Sequence, residues 1–159
     1  MTNIIVEKSI WIEARPETVF SYFADARKLT LWMGRTASLD AREAGGLRID
    51  MNGRDIVEGT FVAVEPYERI AFTWGWVGSD AHPPGSSLVE VTLRPEGGGT
   101  QLQLRHSQVP AVEADTHRAG WEFYFGRLRP AVVGAALPWD AFRKYDDAEA
   151  PDREGGGNA

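Results

Sequence analysis

The sequence predicts an α+β fold in which a seven-stranded antiparallel sheet wraps around one long C-terminal helix. Three observations favour it: a strand-like N-terminus followed by two short helical patterns, a series of alternating apolar runs separated by turn residues, and one long final stretch with helical spacing. An antiparallel sheet with one apolar face needs a cover, and only the final helix is long enough to provide it.

The first elements are marked by a proline and an aspartate. Residues 4–14 are rich in β-branched and aromatic side chains and predict a strand. Pro16 then begins a helix over 16–24, because its missing N–H is tolerated at the first helical position. Asp25 is a suitable N-cap for a second short helix, which we expect to end at Gly34.

After these helices the hydrophobic period changes from helical to alternating. Asn52-Gly53 is the strongest of the turn signals that divide this region into hairpins. A longer loop over 78–87 precedes the last two strands. The strands predicted here are 36–43, 47–52, 56–65, 69–77, 88–94 and 100–109.

The long helix is predicted from 112 to 137. His117 and Trp121 lie on its apolar stripe, which continues at steps of three and four residues. Pro130 is unfavourable inside a helix because its ring collides with the carbonyl four residues back, which here belongs to Gly126. We therefore expect a kink near 126–130 or an early end.

Length and charge together divide the chain into a body and a tail. The 159 residues favour one domain, which we assign to 1–145. Residues 146–159 carry five acids, one base and no aromatic side chain, and they predict a flexible, acidic, glycine-rich tail. Without this tail the body has 18 acids and 16 bases, so most of the net charge of -6 belongs to the tail.

The composition argues against several classes of protein. An acidic chain with a pI near 5.1 lacks the positive footprint that nucleic acids and anionic membranes require. The absence of cysteine excludes disulfides and cysteine-ligated metal centres. The N-terminus has no cationic signal-peptide region, and the longest apolar stretch, 131–137, is far below the roughly 20 residues that span a bilayer. We therefore expect a cytoplasmic protein with no nucleic-acid or membrane partner.

The sequence carries no local motif for a cofactor or a metal. It has no phosphate-binding loop, HExxH pair, EF-hand loop or GxSxG elbow. His82, His106 and His117 stand at no local metal-ligand spacing, so a metal site would have to be assembled from distant segments. We expect no cofactor and no metal.

Short motifs along most of the body give the chain a family resemblance. They are Ala14-Arg15-Pro16-Glu17-Thr18-Val19-Phe20, Trp32-Met33-Gly34, Gly45-Gly46, Gly59 followed by Glu65-Pro66, Ile70-Ala71-Phe72-Thr73-Trp74, Gly98-Gly99-Thr100, His106 and Gly120-Trp121. In this order the chain resembles helix-grip proteins of the START-like superfamily, also called SRPBCC or Bet v 1-like, and within it the bacterial homologues of the activator of Hsp90 ATPase. The resemblance implies a helix-grip fold whose interior commonly holds a cavity. It implies no single activity, because this fold hosts unrelated functions.

An aromatic stripe on the 69–77 strand is the most informative feature of the interior. Alternation places Phe72, Trp74 and Trp76 on one face, where they would meet aromatic residues of the long helix. The stripe is either an ordinary filled core or the wall of a cavity for an apolar or aromatic ligand. The candidate ligand-binding residues are Trp32, Met51, Phe72, Trp74, Trp76, His106, Trp121, Tyr124 and Phe125.

His106 is the polar residue expected within that wall. It continues the inward parity of Leu102 and Leu104. Its imidazole could bond a ligand hydroxyl or carbonyl, or act as a general acid or base, which makes it the one weak catalytic candidate. The alternative is a structural histidine whose nitrogens are satisfied inside the protein.

Three functions follow from these observations. The first is binding of a small hydrophobic or aromatic molecule between the sheet and the C-terminal helix, without catalysis. The second, implied only by the resemblance, is a co-chaperone-like regulator with Hsp90 as its partner. The third is an enzyme similar to polyketide cyclases and dehydratases that uses His106. The chain would act as a monomer or a homodimer.

Overall fold

The computed structural model describes residues 2–134. In chain order the elements are β1 (Asn3–Ile12), α1 (Pro16–Ala24), α2 (Ala26–Leu29), β2 (Thr36–Leu39), β3 (Gly46–Asp50), β4 (Ile56–Glu65), β5 (Arg69–Trp74), β6 (Ser87–Glu96), β7 (Gly99–Pro110), a 3-10 turn (Ala111–Glu113) and α3 (Ala114–Val132). This order confirms the predicted α+β fold, with two short helices between the first and second strands.

The two short helices begin where the sequence predicts. α1 starts at Pro16. The Asp25 carboxylate then accepts the backbone N–H groups of Arg27 and Lys28 at 2.8 and 3.2 Å, so it caps α2 as expected. α2 is only one turn long, and the chain leaves the helical region at Gly34, whose φ is 84°.

The seven strands form one antiparallel sheet with the order β1-β7-β6-β5-β4-β3-β2. β1 therefore closes the sheet beside β7, and the remaining strands follow as a meander of hairpins. α3 lies against the inner face of this sheet, where its buried side chains join those of the central strands in one hydrophobic core. The helix-grip architecture is thus confirmed.

Most boundaries differ from prediction by a few residues, and α2 ends at Leu29, before the expected Gly34. β2 ends at Leu39 instead of 43. β5 ends at Trp74 instead of 77, and beyond it Trp76 makes only an isolated bridge to Val57. α3 ends at Val132 with Pro130 inside its last turn, in line with the early end expected there.

β7 also loses its regular alternation near its end. Leu102, Leu104 and His106 are fully buried, as their shared parity predicts. Gln108 has the same parity, but it has a φ of 63° and is exposed, so Val109 turns inward instead. His106 is therefore the last inward residue of the regular part of β7.

One end of the space between sheet and helix is filled with side chains. We call Phe23, Trp32, Phe125 and Leu128 the packed end. The Trp32 ring lies 5.1 Å from that of Phe23 and 6.4 Å from that of Phe125, and its Nε1–H donates to the carbonyl of Tyr22 at 3.0 Å. Trp32 and Leu128 have no exposed surface.

The predicted domain end at 145 and the predicted tail over 146–159 lie outside the described residues and stay predictions. Within residues 2–134 no helix is long and apolar enough to cross a membrane.

Candidate ligand-binding cavity

The other end of the same space is open. A cavity of about 210 Å³ lies between the end of β5, the β3–β4 hairpin and the first half of α3. Its wall is mostly aromatic and thioether, with a few polar groups near the opening. The lining residues are Met33, Met51, Asn52, Asp55, Trp74, Trp76, Thr116, His117, Gly120, Trp121 and Tyr124.

Five of the nine candidate ligand-binding residues lie in this wall: Met51, Trp74, Trp76, Trp121 and Tyr124. The Trp74 ring lies 5.3 Å from that of Trp121 across the space between β5 and α3. The Trp76 ring stands at 88° to that of Trp74, with 6.0 Å between their centres. The aromatic stripe of the 69–77 segment therefore does face the long helix.

Three other candidates are buried away from the cavity. Trp32 and Phe125 belong to the packed end. Phe72 lies one step further along β5, between Phe61 and Trp74, with ring centres at 5.8 and 6.1 Å. These side chains share the inward face with the lining residues, but the structure uses them as core.

His106 is the fourth candidate outside the lining, and its ring nitrogens are both occupied. The Trp121 Nε1–H donates to His106 Nδ1 at 3.1 Å. Since an indole N–H can only donate, the neutral imidazole carries its proton on Nε2 and donates it to Ser87 Oγ at 2.8 Å. This geometry is that of a structural histidine whose nitrogens are both satisfied inside the protein. It does not match the expectation that His106 offers a polar contact to a ligand.

Burial also removes His106 from acid–base chemistry near neutral pH. Together with smaller contributions of the same sign from His117 and His82, it lowers the pKa of His106 from 6.5 to about 2. Because its pKa is about 2, the His106 imidazole stays neutral near pH 7 and is not expected to exchange a proton with a substrate there.

Sequence reasoning missed six lining residues: Met33, Asn52, Asp55, Thr116, His117 and Gly120. Asn52 and Asp55 belong to the β3–β4 turn, where the Asn52 Nδ2 donates to Asp55 Oδ2 at 3.0 Å. This turn reaches the helix only in the folded chain, so no local pattern reports it. Gly120 could have been found, because a residue without a side chain on the inner stripe of a helix leaves space there.

Gly120 leaves part of the cavity empty. A Cβ built at this position meets no atom within 4 Å outside its own stretch of helix, so the backbone of α3 itself forms the wall. Gly126, one and a half turns further along, is equally unobstructed but is exposed rather than cavity-lining. The two glycines are therefore a matched pair on one helix.

The cavity opens into a shallower groove of about 370 Å³. Asp55, Trp76, Thr116 and His117 line both spaces and so mark the opening between them. The groove adds Glu113 to its wall.

Behind the opening, the three histidines of the chain form a buried cluster with Ser87 and Glu113. The ring centres of His82 and His117 lie 5.0 Å apart, and those of His106 and His117 lie 5.2 Å apart. We call these five residues the histidine cluster. The histidines come from a loop, from β7 and from α3, and only the folded chain brings them together.

A close backbone approach places His82 in this cluster. A Cβ at Gly75 would lie 1.8 Å from the carbonyl oxygen of Pro83, so only glycine lets the loop lie against the end of β5. The Trp76 N–H donates to the His82 carbonyl at 2.8 Å and secures the same contact. His82 is consequently fully buried, with Nε2 at 2.7 Å from Ser87 Oγ and Nδ1 at 2.9 Å from Glu113 Oε1.

His117 connects the histidine cluster to the cavity. The Trp76 Nε1–H donates to His117 Nε2 at 3.3 Å, so the neutral ring carries its proton on Nδ1 and donates it to the Glu113 carbonyl at 3.1 Å. Burial is the largest influence on His117 and lowers its pKa below 6.5, although the bond to the Glu113 carbonyl acts in the opposite direction. The opening is thus lined by a neutral imidazole.

The histidine cluster could also be considered as a metal site. One donor atom from each of His82, Glu113 and His117 lies within 4.8 Å of the other two. The lone pair of His117 Nε2, however, accepts the Trp76 N–H, and Nδ1 carries a proton, so this ring offers a metal no free lone pair as it is bonded. These residues do not fit an ion without rearrangement, and the absence of a metal site stays a prediction.

One polar atom of the aromatic wall has no partner among the described residues. Trp74 Nε1 is buried and makes no hydrogen bond. Buried donors are normally satisfied, so this N–H is an exception to the usual pairing of buried polar groups.

Comparisons with known proteins agree with the fold and with the motifs. The family model of the Activator of Hsp90 ATPase homolog 1-like protein matches residues 13–132. The solved AHSA1-like protein of Rhizobium etli is similar at 35% identity and a TM-score of 0.67, with 89% of each chain covered. No curated protein matches the chain.

Two further solved structures share the fold. DynU16, a protein in the dynemicin biosynthetic locus, is 25% identical with a TM-score of 0.69; the match covers 79% of this chain but only 45% of DynU16. The Aha1 dimer of Colwellia psychrerythraea is 15% identical with a TM-score of 0.69, covering 83% of this chain and 96% of that one. Because the family model covers most of the described residues and the Rhizobium protein exceeds 30% identity, the chain belongs to the Activator of Hsp90 ATPase homolog 1-like family.

Proposed function

We propose that the chain binds a small apolar or aromatic molecule in the cavity between β5 and α3. The observation that carries this proposal is a partly open, largely apolar space of about 210 Å³, walled by tryptophan, tyrosine and methionine side chains, within a fold whose other end is filled. Binding sites for small molecules are concave, largely apolar and supplied with a few polar groups, and this cavity has those properties.

The volume limits the size of the ligand. Sites for drug-sized molecules measure roughly 300–1,000 Å³, whereas an apolar cavity of roughly 150 Å³ already holds benzene. The cavity therefore suits a molecule with one aromatic ring and a short substituent. A larger ligand would have to extend through the opening into the groove.

A catalytic role for His106 has less support. Its nitrogens are occupied by Ser87 and Trp121, its pKa is about 2, and it does not line the cavity. A cyclase-like reaction would need another acid or base within reach of the substrate. The occurrence of DynU16 in a biosynthetic locus favours a role with small molecules, and binding alone accounts for the geometry of this chain.

A co-chaperone role is the second candidate, and the family membership favours it. Pull-down of Hsp90 with the purified chain, together with measurement of Hsp90 ATPase activity, tests it. Failure of both assays would remove it. The cytoplasm as the site of action, and the choice between monomer and homodimer, are further parts of the proposal that cell fractionation and light scattering would test.

The matched glycines provide the experiment for ligand binding. Phenethyl alcohol, a neutral one-ring probe, is titrated into the wild-type chain, Gly120→Leu and Gly126→Leu by calorimetry. Both substitutions replace glycine with a good helix former, so neither is expected to weaken α3. We expect the wild type and Gly126→Leu to bind saturably, while Gly120→Leu does not, because its side chain fills the cavity.

Two results would contradict the proposal. One is unchanged binding by Gly120→Leu, which would place the ligand elsewhere. The other is no saturable binding by the wild type to phenethyl alcohol or to other one-ring compounds.

A further inference from the structure

Resting on the proposed function, we propose that the cavity is selective for a protonated amine carried on a small aromatic ring. The ring would lie against Trp74 and Trp121, and the ammonium group would lie at the opening, beside Asp55 and the face of Trp76. The ligand class is therefore a one-ring arylalkylammonium ion rather than an aromatic acid or a hydrocarbon.

The charges around the opening are of one sign. Asp55 lines both the cavity and the groove, and Glu113 lines the groove. No lysine or arginine is among the residues lining either space in the described part of the chain. His117 supplies no compensating charge, since its ring is buried and neutral as it is bonded. A ligand carboxylate would meet only like charge here, whereas an ammonium group would meet opposite charge.

Asp55 is held in position to make this contact. Its Oδ2 accepts the Asn52 Nδ2–H at 3.0 Å, and its carbonyl accepts the Met51 N–H at 2.9 Å. A carboxylate offers about four acceptor positions, so the bond to Asn52 does not exhaust it. The side chain is exposed, so an ammonium group can reach it from the groove without burial of an unpaired charge.

The aromatic wall favours the same kind of ligand. A cation within about 6 Å of the face of a tryptophan ring is attracted by the ring quadrupole. Trp76 is half-buried at the opening and Trp74 lies behind it at right angles, so the wall presents indole surface in two directions. Aromatic surface together with a carboxylate is a suitable environment for an organic cation and a poor one for an anion.

The opening therefore separates two parts of the ligand. The cavity beyond it is apolar enough to take a ring, and the groove before it is acidic. A molecule with both features satisfies both surfaces at once, which a hydrocarbon or an inorganic cation cannot do.

Three probes with the same ring test this selectivity by calorimetry at pH 7: phenethylamine, phenethyl alcohol and 3-phenylpropionate. We expect the amine to bind about tenfold more tightly than the carboxylate, because attraction to Asp55 is replaced by repulsion, and the alcohol to lie between them. Asp55→Asn is expected to weaken amine binding about threefold, as for an exposed ion pair, and to change alcohol binding by a smaller factor.

Asp115→Asn is the matched control. It removes the same unit of charge from an exposed aspartate that does not line the cavity. A thermal melt of each variant establishes that both remain folded. We expect the control to bind all three probes as the wild type does.

The outcomes separate the two proposals. If none of the three probes binds, the proposed function fails. If the alcohol binds but the carboxylate binds as tightly as the amine, ligand binding stands and the selectivity is overturned. Equal effects of Asp55→Asn and Asp115→Asn on the amine would also overturn it, since the charge at the opening would then have no special part.

Discussion

The two halves of α3 face the same sheet but meet different interiors. The second half, with Phe125 and Leu128, packs into a filled core around Trp32. The first half, with Gly120 and Trp121, leaves a cavity against Trp74 and the β3–β4 turn. The difference depends on the missing side chain at Gly120, and the histidine cluster, which reaches the cavity wall only through His117, lies beside this end. A helix-grip interior can therefore be filled core at one end and cavity at the other.

The largest expected contrast is in the cost of truncating a side chain at each end. Leu128→Ala is expected to lower the free energy of unfolding by about 4 kcal/mol, since a fully packed side chain loses contacts on every side. Met51→Ala should cost only about 2 kcal/mol, because part of the Met51 side chain already faces empty space. Urea denaturation measures both values. Equal losses would mean that the cavity end is packed as tightly as the other.

The next largest loss of stability is expected from disturbing the loop that carries His82. Gly75→Ala is expected to lower the free energy of unfolding by about 3 kcal/mol, because its Cβ would collide with the Pro83 backbone, which cannot yield without moving His82. Gly46→Ala is the control, since a Cβ in that strand meets no atom within 4 Å. Chemical denaturation compares the two. A Gly75→Ala variant as stable as Gly46→Ala would show that the loop does not depend on this contact.

Acid is expected to lower the free energy of unfolding through the buried His106. The pKa of His106 is about 2 in the folded chain and near 6.5 when unfolded, so below pH 6.5 the unfolded chain takes up a proton that the folded chain refuses. The stabilisation that depends on a neutral His106 is complete above pH 6.5. Below that pH the free energy of unfolding falls by about 1.4 kcal/mol for each pH unit. The lowered pKa of His117 acts with the same sign.

The His106→Gln variant isolates the contribution of His106 to the pH dependence of stability. Between pH 7 and pH 5 the wild type should lose about 2 kcal/mol more than the variant, which has no imidazole to protonate at this position. Urea denaturation at both pH values supplies the comparison. Identical losses in the two proteins would refute the assignment of His106 as a buried neutral histidine.

The contrast between the two ends also separates what the sequence predicts from what it does not. Strands, turns, the helix start at Pro16 and the N-cap at Asp25 follow from local periodicity and backbone chemistry, and the structure confirms them with boundary shifts of a few residues. The alternation of side chains along each strand correctly predicts that Trp74 and His106 point inward. It could not decide which inward residues meet empty space, because Phe72 and Trp74 have the same parity and only the opposing helix distinguishes them.

The polar part of the site was beyond local reasoning for a related reason. His82 lies in a proline-containing loop, and nothing in that loop indicates that Gly75 allows it to become fully buried. The local sequence indicates that Asp55 is a turn residue, which is correct. It does not indicate that this turn lies at the opening of the cavity. Both roles depend on contacts between segments far apart in the sequence.

We propose that the open end of the interior binds a one-ring ligand and that the packed end does not. Solution NMR of the chain saturated with phenethyl alcohol, with labelled methyl groups, tests it most directly. We expect nuclear Overhauser contacts from the probe ring to the methyl groups of Met33 and Met51, and none to those of Leu128. Contacts to Leu128, or to surface methyl groups without Met33 and Met51, would contradict it.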